Sequence, residues 1–321
     1  PTVTEVNSTT LDGTYIIDEV IYVSVGFTEP VLVTGTPRIQ LETGEPDNYA
    51  NYLSGSGSST LTFRYTVQSG DNTPDLDYLA TTSLTLNGGS INDKAGNAAD
   101  RTFANPGATN SLGDNKDIVV DGVKPTVSGV ASDDSTYTTG NVDITITFTE
   151  AVYVTGGVPR LLLETGTTNR YANYLSGTGT TNLVFRYAVQ VGDVSTDLDY
   201  VAINSLSLNG AAMKDANDNS AVLTLATPGA AGSLGASSNV VVDALAPTVT
   251  NVTSTSDNGY YNPGDSITIT ITFSEVVTVT GTPQLTLETG TSDKVADYTS
   301  GSGSNTLLFV YAVGSGDEST D

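Results

Sequence analysis

One long pattern occurs three times in this chain. FTEPVLVTGTPRIQLETG begins at Phe27, FTEAVYVTGGVPRLLLETG at Phe148 and FSEVVTVTGTPQLTLETG at Phe273. A PTV triplet opens each copy, at Pro1, Pro125 and Pro247, so the period is 124 residues and then 122. Solenoid units run to about 20–50 residues, so a period this long is a whole domain. The repeat predicts three domains, 1–124, 125–246 and 247–321. A string of near-identical beads points to extension, lattice building or multivalency before catalysis.

Each bead reads as strands. Ile267, Ile269, Ile271 and Phe273 alternate with Thr268, Thr270 and Thr272, the period of a half-buried strand. Ile21, Val23, Val25 and Phe27 repeat that phase, as do Val142, Ile144, Ile146 and Phe148. A second strand turns Leu61, Phe63, Tyr65 and Val67 inward, with counterparts Leu183 to Val189 and Leu307 to Val313. Gly, Asn, Asp and Ser clusters between the strands supply turn residues, and the LSGSGSS and LSGTGTT stretches read as hairpin tips. Seven to nine short strands per copy, without a helical period, predict tandem antiparallel Ig-like β-sandwiches in a linear array. The links at 119–125 and 241–247 are short and end in proline, which predicts stiff joints.

Composition excludes several partners. Thirty-six acidic residues face eleven basic ones, for a net charge of −25. Nucleic acid and anionic membranes repel such a chain, whereas cations are drawn to it. Cysteine and histidine are both absent, which removes thiol nucleophiles, zinc–thiolate sites and the commonest general base. No apolar run approaches the ~20 residues of a membrane helix, and no signal peptide precedes Pro1. The opening at Pro1 reads as the start of a repeat, hence as a mature or excised piece of a longer chain. The third copy stops about fifty residues short of the second. Either the sequence is cut there, or another chain completes the sheet by strand addition.

The PTV opening, the F-[ST]-E-x-V strand end, the D-x-x-G-N turn from Asp93 to Asn97 and the VVD-x-x-x-P link resemble bacterial and archaeal Ig-like surface repeats. Such repeats occur in S-layer proteins and large adhesins. The resemblance covers the whole chain and implies an extracellular, structural or adhesive role, with calcium at domain junctions in some relatives. Copy two departs from the turn motif, with Asp215-Ala-Asn-Asp-Asn219 in place of D-x-x-G-N.

Acidic residues recur at fixed places. Asp71, Asp75 and Asp77 return as Asp193, Asp197 and Asp199, and the series begins again with Asp317 and Asp321. Leu76 and Tyr78 take the inward phase, so Asp75 and Asp77 are expected to face solvent together. Two readings stay open for these acids: solvated turn stabilisers, or ligands for a hard cation such as Ca²⁺, which takes six to eight oxygens. Glu29, Glu150 and Glu275 each follow the inward Phe by two residues, so period 2 aims them at the core. A lone buried carboxylate is costly, which leaves backbone capping or cation binding. Asp121 and Asp243 end the closing strands, just before the next repeat. An Ig-type topology then groups Asp71, Asp75, Asp121 and Glu150 at the first joint, and Asp193, Asp197, Asp243 and Glu275 at the second.

No pattern marks an enzyme. Acid pairs exist by count, but nothing separates a catalytic pair from abundant surface Asp. Exposed tyrosines at 49 and 52, and at 171 and 174, are either part of a half-buried sheet face or platforms for sugars. Asn7-Ser-Thr9 and Asn251-Val-Thr253 match the glycosylation pattern, at the frequency chance gives in a Thr/Ser-rich chain. The sequence therefore predicts a stalk, fibre or lattice module of an extracellular surface protein, rigidified by calcium at its joints. Its expected partners are neighbouring repeats, copies of itself, surface glycans or another cell's surface. The alternative is a carbohydrate- or protein-binding adhesion module.

Overall fold

The computed structural model describes residues 1–319 and is all-β; Asp321 lies outside the described residues. The chain divides into two compact units. The first comprises residues 1–189 and 193–243, and the second residues 190–192 and 244 onward. Repeats 1 and 2 both lie in the first unit, each around its own hydrophobic core.

In repeat 1 the strands are β1 (Val3–Ser8), β2 (Gly13–Ile16), β3 (Val20–Thr34), β4 (Arg38–Gln40), β5 (Tyr49–Ser54) and β6 (Ser58–Thr66). The short strands β7 (Asn72–Thr73), β8 (Leu84–Thr85) and β9 (Ser90–Asn92) follow, then a single helical turn α1 (Leu112–Asn115) and the closing strand β10 (Ile118–Asp121). The large sheet has the order β1-β3-β6-β5-β4-β8, with β9 on the far half of β3. The small sheet is β2-β10-β7. Repeat 2 reproduces both sheets.

Period-2 alternation explains the core. Ile21, Val23 and Val25 of β3 and Leu61, Phe63 and Tyr65 of β6 are all buried, and Tyr52 meets the Phe63 ring edge-on at 5.9 Å. The β5–β6 turn is a hairpin tip, as its sequence predicts. Gly55 there has φ +110°, and a Cβ would fall 2.2 Å from the Thr60 carbonyl oxygen, so only glycine fits.

Two features depart from a plain antiparallel reading. First, β10 pairs antiparallel with β7 but parallel with β2. Second, α1 interrupts a segment without helical period. Ser111 caps it by accepting from the Asp114 N–H at 3.1 Å, which lets Leu112 plug the core between the sheets. A long irregular stretch precedes α1. Tyr78 holds it, with its hydroxyl donating to the Ala104 carbonyl at 2.8 Å and its ring 4.5 Å from that of Phe103.

Repeat 3 shows one five-stranded sheet among its described residues, ordered Val249–Ser254, Ser266–Val277, Ser304–Ala312, Lys294–Ser300, Gln284–Leu287. Leu112, Ile118 and Val120 of repeat 1, like Leu234, Val240 and Val242 of repeat 2, have no counterpart in residues 247–319. Val252 is accordingly 54% exposed, whereas its equivalents Val6 and Val130 are 1% exposed. Truncating Val130 to Ala should therefore cost about 2 kcal/mol in urea unfolding. Val252→Ala should cost under about 0.5 kcal/mol. Equal losses would mean that the Val252 face is covered in solution.

Candidate functional site

The acids singled out by their spacing separate into three environments. Asp71 is 3% exposed and faces inward. It accepts from the Tyr65 hydroxyl, from the Gln68 N–H at 2.8 Å and from Asn48 Nδ2 at 2.6 Å. Asp193, 1% exposed, accepts from the Tyr187 hydroxyl at 2.7 Å and from Arg170 Nε at 2.9 Å. Asp317 accepts from the Tyr311 hydroxyl and the Gly314 N–H. Each repeat thus has a Tyr–Asp latch joining the end of its second core strand to the following loop. The carboxylate raises the hydroxyl pKa of Tyr65 and Tyr187, though burial is the larger cause. Asp71 and Asp193 do not reach outward to the joints, because their oxygens are already used by inward donors.

Asp75 is drawn away from Asp121. The segment from Asn72 runs antiparallel along β10, with Asn72 opposite Asp121, Thr73 opposite Val120 and the Leu76 N–H on the Ile118 carbonyl. Each step after Asn72 moves one residue back along β10, so Asp75 falls at the level of Ile118, within reach of the Asp117 charge. Repeat 2 has the same register, with Val194 opposite Asp243 and the Leu198 N–H on the Val240 carbonyl, so Asp197 leaves Asp243 likewise. Asp75 and Asp77 also do not face solvent together. Asp77 is buried and accepts from the Gly107 N–H at 2.9 Å. Both carboxylates close over Gly113 of α1, where a Cβ would lie 3.1 Å from Asp75 Oδ2 and 3.2 Å from Asp77 Oδ2. Partial burial, then the charges of Asp117 and Asp77, pushes the Asp75 pKa up.

The third environment is the joint between repeats 1 and 2. It centres on Asp121, at the end of β10, and Glu150, two residues past Phe148 in the middle of the repeat-2 strand Asn141–Gly156. With them come three residues of the D-A-N-D-N turn. Asn217 Nδ2 donates to Asp121 Oδ2 at 2.6 Å, and Asn219 Nδ2 to the Asp121 carbonyl at 3.0 Å. Asp215 organises the turn by accepting from the N–H groups of Asn217 and Asn219 at 2.8 and 2.9 Å, and from Asn219 Nδ2 at 2.9 Å. Two oxygens in this cluster are buried without a donor, Glu150 Oε1 and Asn219 Oδ1, the latter on a side chain 2% exposed. Burial, then the charges of Asp215 and Asp121, pushes the Glu150 pKa up. Asp121, Glu150 and Asn217 line a cleft of about 390 Å³ together with Asn72, Pro74 and Thr149.

The donor set is entirely oxygen, and two members are orphaned acceptors, which suits a hard cation. Among the described residues, no three carboxylates form a metal-holding group by themselves. An ion here would therefore draw on amide oxygens and water beside at most two of Asp121, Glu150 and Asp215. Elsewhere, Glu29 meets the Pro1 ammonium at 2.9 Å, and Glu275 Oε1 is again buried without a donor. Asp243 is an exposed strand end of the first unit, and Glu275 belongs to the second. The sequence reading missed Asp215, Asn217 and Asn219 as joint residues. Their signal was the D-A-N-D-N sequence of copy two, whose Asn217 and Asn219 amides reach the preceding repeat.

No family model matches the chain, and no curated protein matches it. Among solved structures, the plexin A4 extracellular region aligns with 97% of this chain and 31% of its own, at 9% identity and a TM-score of 0.21. A likeness this low carries no argument. No helix among the described residues is long and apolar enough to cross a membrane.

Proposed function

We propose that this chain is a structural module of an extracellular surface protein, a stalk, fibre or lattice element whose joint between repeats 1 and 2 is clamped by calcium. The observation that carries the reading is the joint itself. The last strand of repeat 1 is gripped by a turn of repeat 2 through Asn217 and Asn219, around two buried acceptors that lack donors. A cation would satisfy those oxygens and cancel the repulsion among Asp121, Glu150 and Asp215. Its partners in this reading are the neighbouring repeats and further copies of the chain. The repetition of one architecture, and of a Tyr–Asp latch in every bead, supports a mechanical role over catalysis.

Melting with and without calcium tests it. Extracellular modules bind Ca²⁺ at about 10⁻⁴–10⁻³ M, so millimolar calcium should stabilise by up to about 1–1.5 kcal/mol. Melting temperature should rise by a few degrees and fall back with chelator. Asp121→Asn should blunt this response, whereas Asp133→Asn, at an exposed acid outside the joint cluster, should not. With chelator present, pH adds a sign. The folded form holds the raised Glu150 proton more tightly than the unfolded chain does. Its contribution to stability therefore declines as pH climbs from the unfolded carboxylate range through the raised value. Calcium should remove that decline. Identical melting in calcium and in ionic-strength-matched NaCl would sink the clamp.

A further inference from the structure

The outer face of the large sheet carries one row of side chains that differs between the repeats. In repeat 1 the row across paired strands is Tyr22, Arg64, Asn51 and Arg38. In repeat 2 it is Asp143, Arg186, Asn173 and Arg160. In repeat 3 it is Thr268, Val310, Asp297 and Gln284. Repeat 2 neutralises its row internally, because Arg186 forms a two-pronged pair with Asp143 at 2.6 Å on each arm. Repeat 3 has no cation in its row, and Gln284 Nε2 donates to Asp297 at 2.8 Å. Repeat 1 places Tyr22 where Asp143 stands. Arg64 then has no ion pair or hydrogen bond among the described residues. Arg38 stacks on Tyr49 at 3.9 Å with its Nε buried and unpartnered, a feature shared by Arg160 on Tyr171 at 4.0 Å in repeat 2, so the difference between the two rows is the state of Arg64.

We infer that this row of repeat 1 is a binding site for a carboxylated saccharide. A guanidinium presents a planar fork that matches a carboxylate through two parallel hydrogen bonds, and the Arg64 fork is unused. Tyr22 is 39% exposed beside it and offers an apolar ring face for a pyranose. Asn51 and Gln68 supply amide donors and acceptors for hydroxyls. A groove of about 420 Å³ lies over Arg64, Asn51 and Gln68, lined also by Tyr49, Tyr52 and Thr66, which is room for one or two sugar rings, and Tyr22 adjoins it as the cross-strand partner of Arg64. Charge complementarity selects the ligand. The chain carries −25 overall, so an anion is repelled nearly everywhere and held where cationic groups lack partners. The site is independent of any cation at the joint. It also makes one bead different from the others, as a recognition site in a repetitive chain requires.

The test uses tetragalacturonate as probe and isothermal titration calorimetry on the 321-residue chain. Binding is expected at one site per chain. Arg64→Gln should weaken it about tenfold or more, the scale of one charge-assisted hydrogen-bonded contact. Tyr22→Asp, which gives repeat 1 the residue repeat 2 uses to occupy its arginine, should weaken it as much. Asp143→Tyr frees Arg186 and should create a second site, raising the stoichiometry to two. All three positions are surface-facing, and an unchanged melting curve for each variant checks folding. The same tetrasaccharide with its carboxylates reduced to alcohols should bind at least about tenfold more weakly. Absence of saturable binding at millimolar probe, full affinity in Arg64→Gln, or tighter binding of hexaglutamate than of the saccharide would each overturn the proposal.

Discussion

Replacing Asp71 by Ala is expected to destabilise repeat 1 by about 3–5 kcal/mol. Asp71 is a buried carboxylate with three donors on it, from Tyr65, Gln68 and Asn48. Hydrogen bonds to charged groups contribute about 1.5–3 kcal/mol each, though not additively. Removing the acceptor leaves the Tyr65 hydroxyl buried with nothing to donate to, which adds a desolvation cost. Tyr65→Phe removes one of the three bonds and should cost about 1.5–2 kcal/mol. The double variant should fall well short of the sum, because both substitutions break the same bond. Urea denaturation of the four proteins closes this cycle. A loss under about 1 kcal/mol for Asp71→Ala would mean that the carboxylate is solvated rather than latched. An acid serving only as a cation ligand would show its loss with calcium and not with chelator.

Tyr78→Ala should cost a similar amount, about 3–5 kcal/mol, the range for deleting a buried aromatic ring. Its effect should also be local in a way the Asp71 change is not. The ring packs on Phe103 and the hydroxyl holds the Ala104 carbonyl, so Tyr78 ties the irregular stretch before α1 to the core. Limited proteolysis should then cut the variant between Asp93 and Ser111 under conditions that leave the parent intact. Tyr78→Phe keeps the ring contact and should cost about 1 kcal/mol. Resistance of Tyr78→Ala to protease would show that other contacts hold the stretch.

What the sequence made legible follows from what repeats at short range. Alternation along Ile21 to Phe27 and Leu61 to Val67 names the inward residues correctly, because a strand buried on one face leaves the period-2 trace directly in the residue order. The candidate site was less legible, because it depends on register. Asp75 lies close to the joint in sequence, yet antiparallel pairing carries it to the start of β10, near Asp117. Asp71 reads as one more surface acid, since the tyrosine that buries it is named by the core pattern alone. Asn217 and Asn219 have no formal charge and escape a search for carboxylates, although they make the hydrogen bonds that grip Asp121. Glu150 is the exception. Its phase put it among buried groups, and its Oε1 is indeed shut off from donors.

The parallel pairing of β10 with β2 has a consequence for how such a chain is made. Gly13 pairs with Ile118, nearly the whole repeat apart, so the small sheet closes only after the last residues of the repeat have been synthesised. Until then each bead is a single large sheet with an unprotected apolar face, and its closure entropy is spent late, which slows folding. The next bead brings an almost identical β2 and an almost identical closing strand. A delayed β10 therefore meets a competing partner in its neighbour, the exchange by which tandem repeats misassemble. The small differences between beads, Ile118 against Val240 and Asp117 against Asn239, lie in and beside the strand that has to choose.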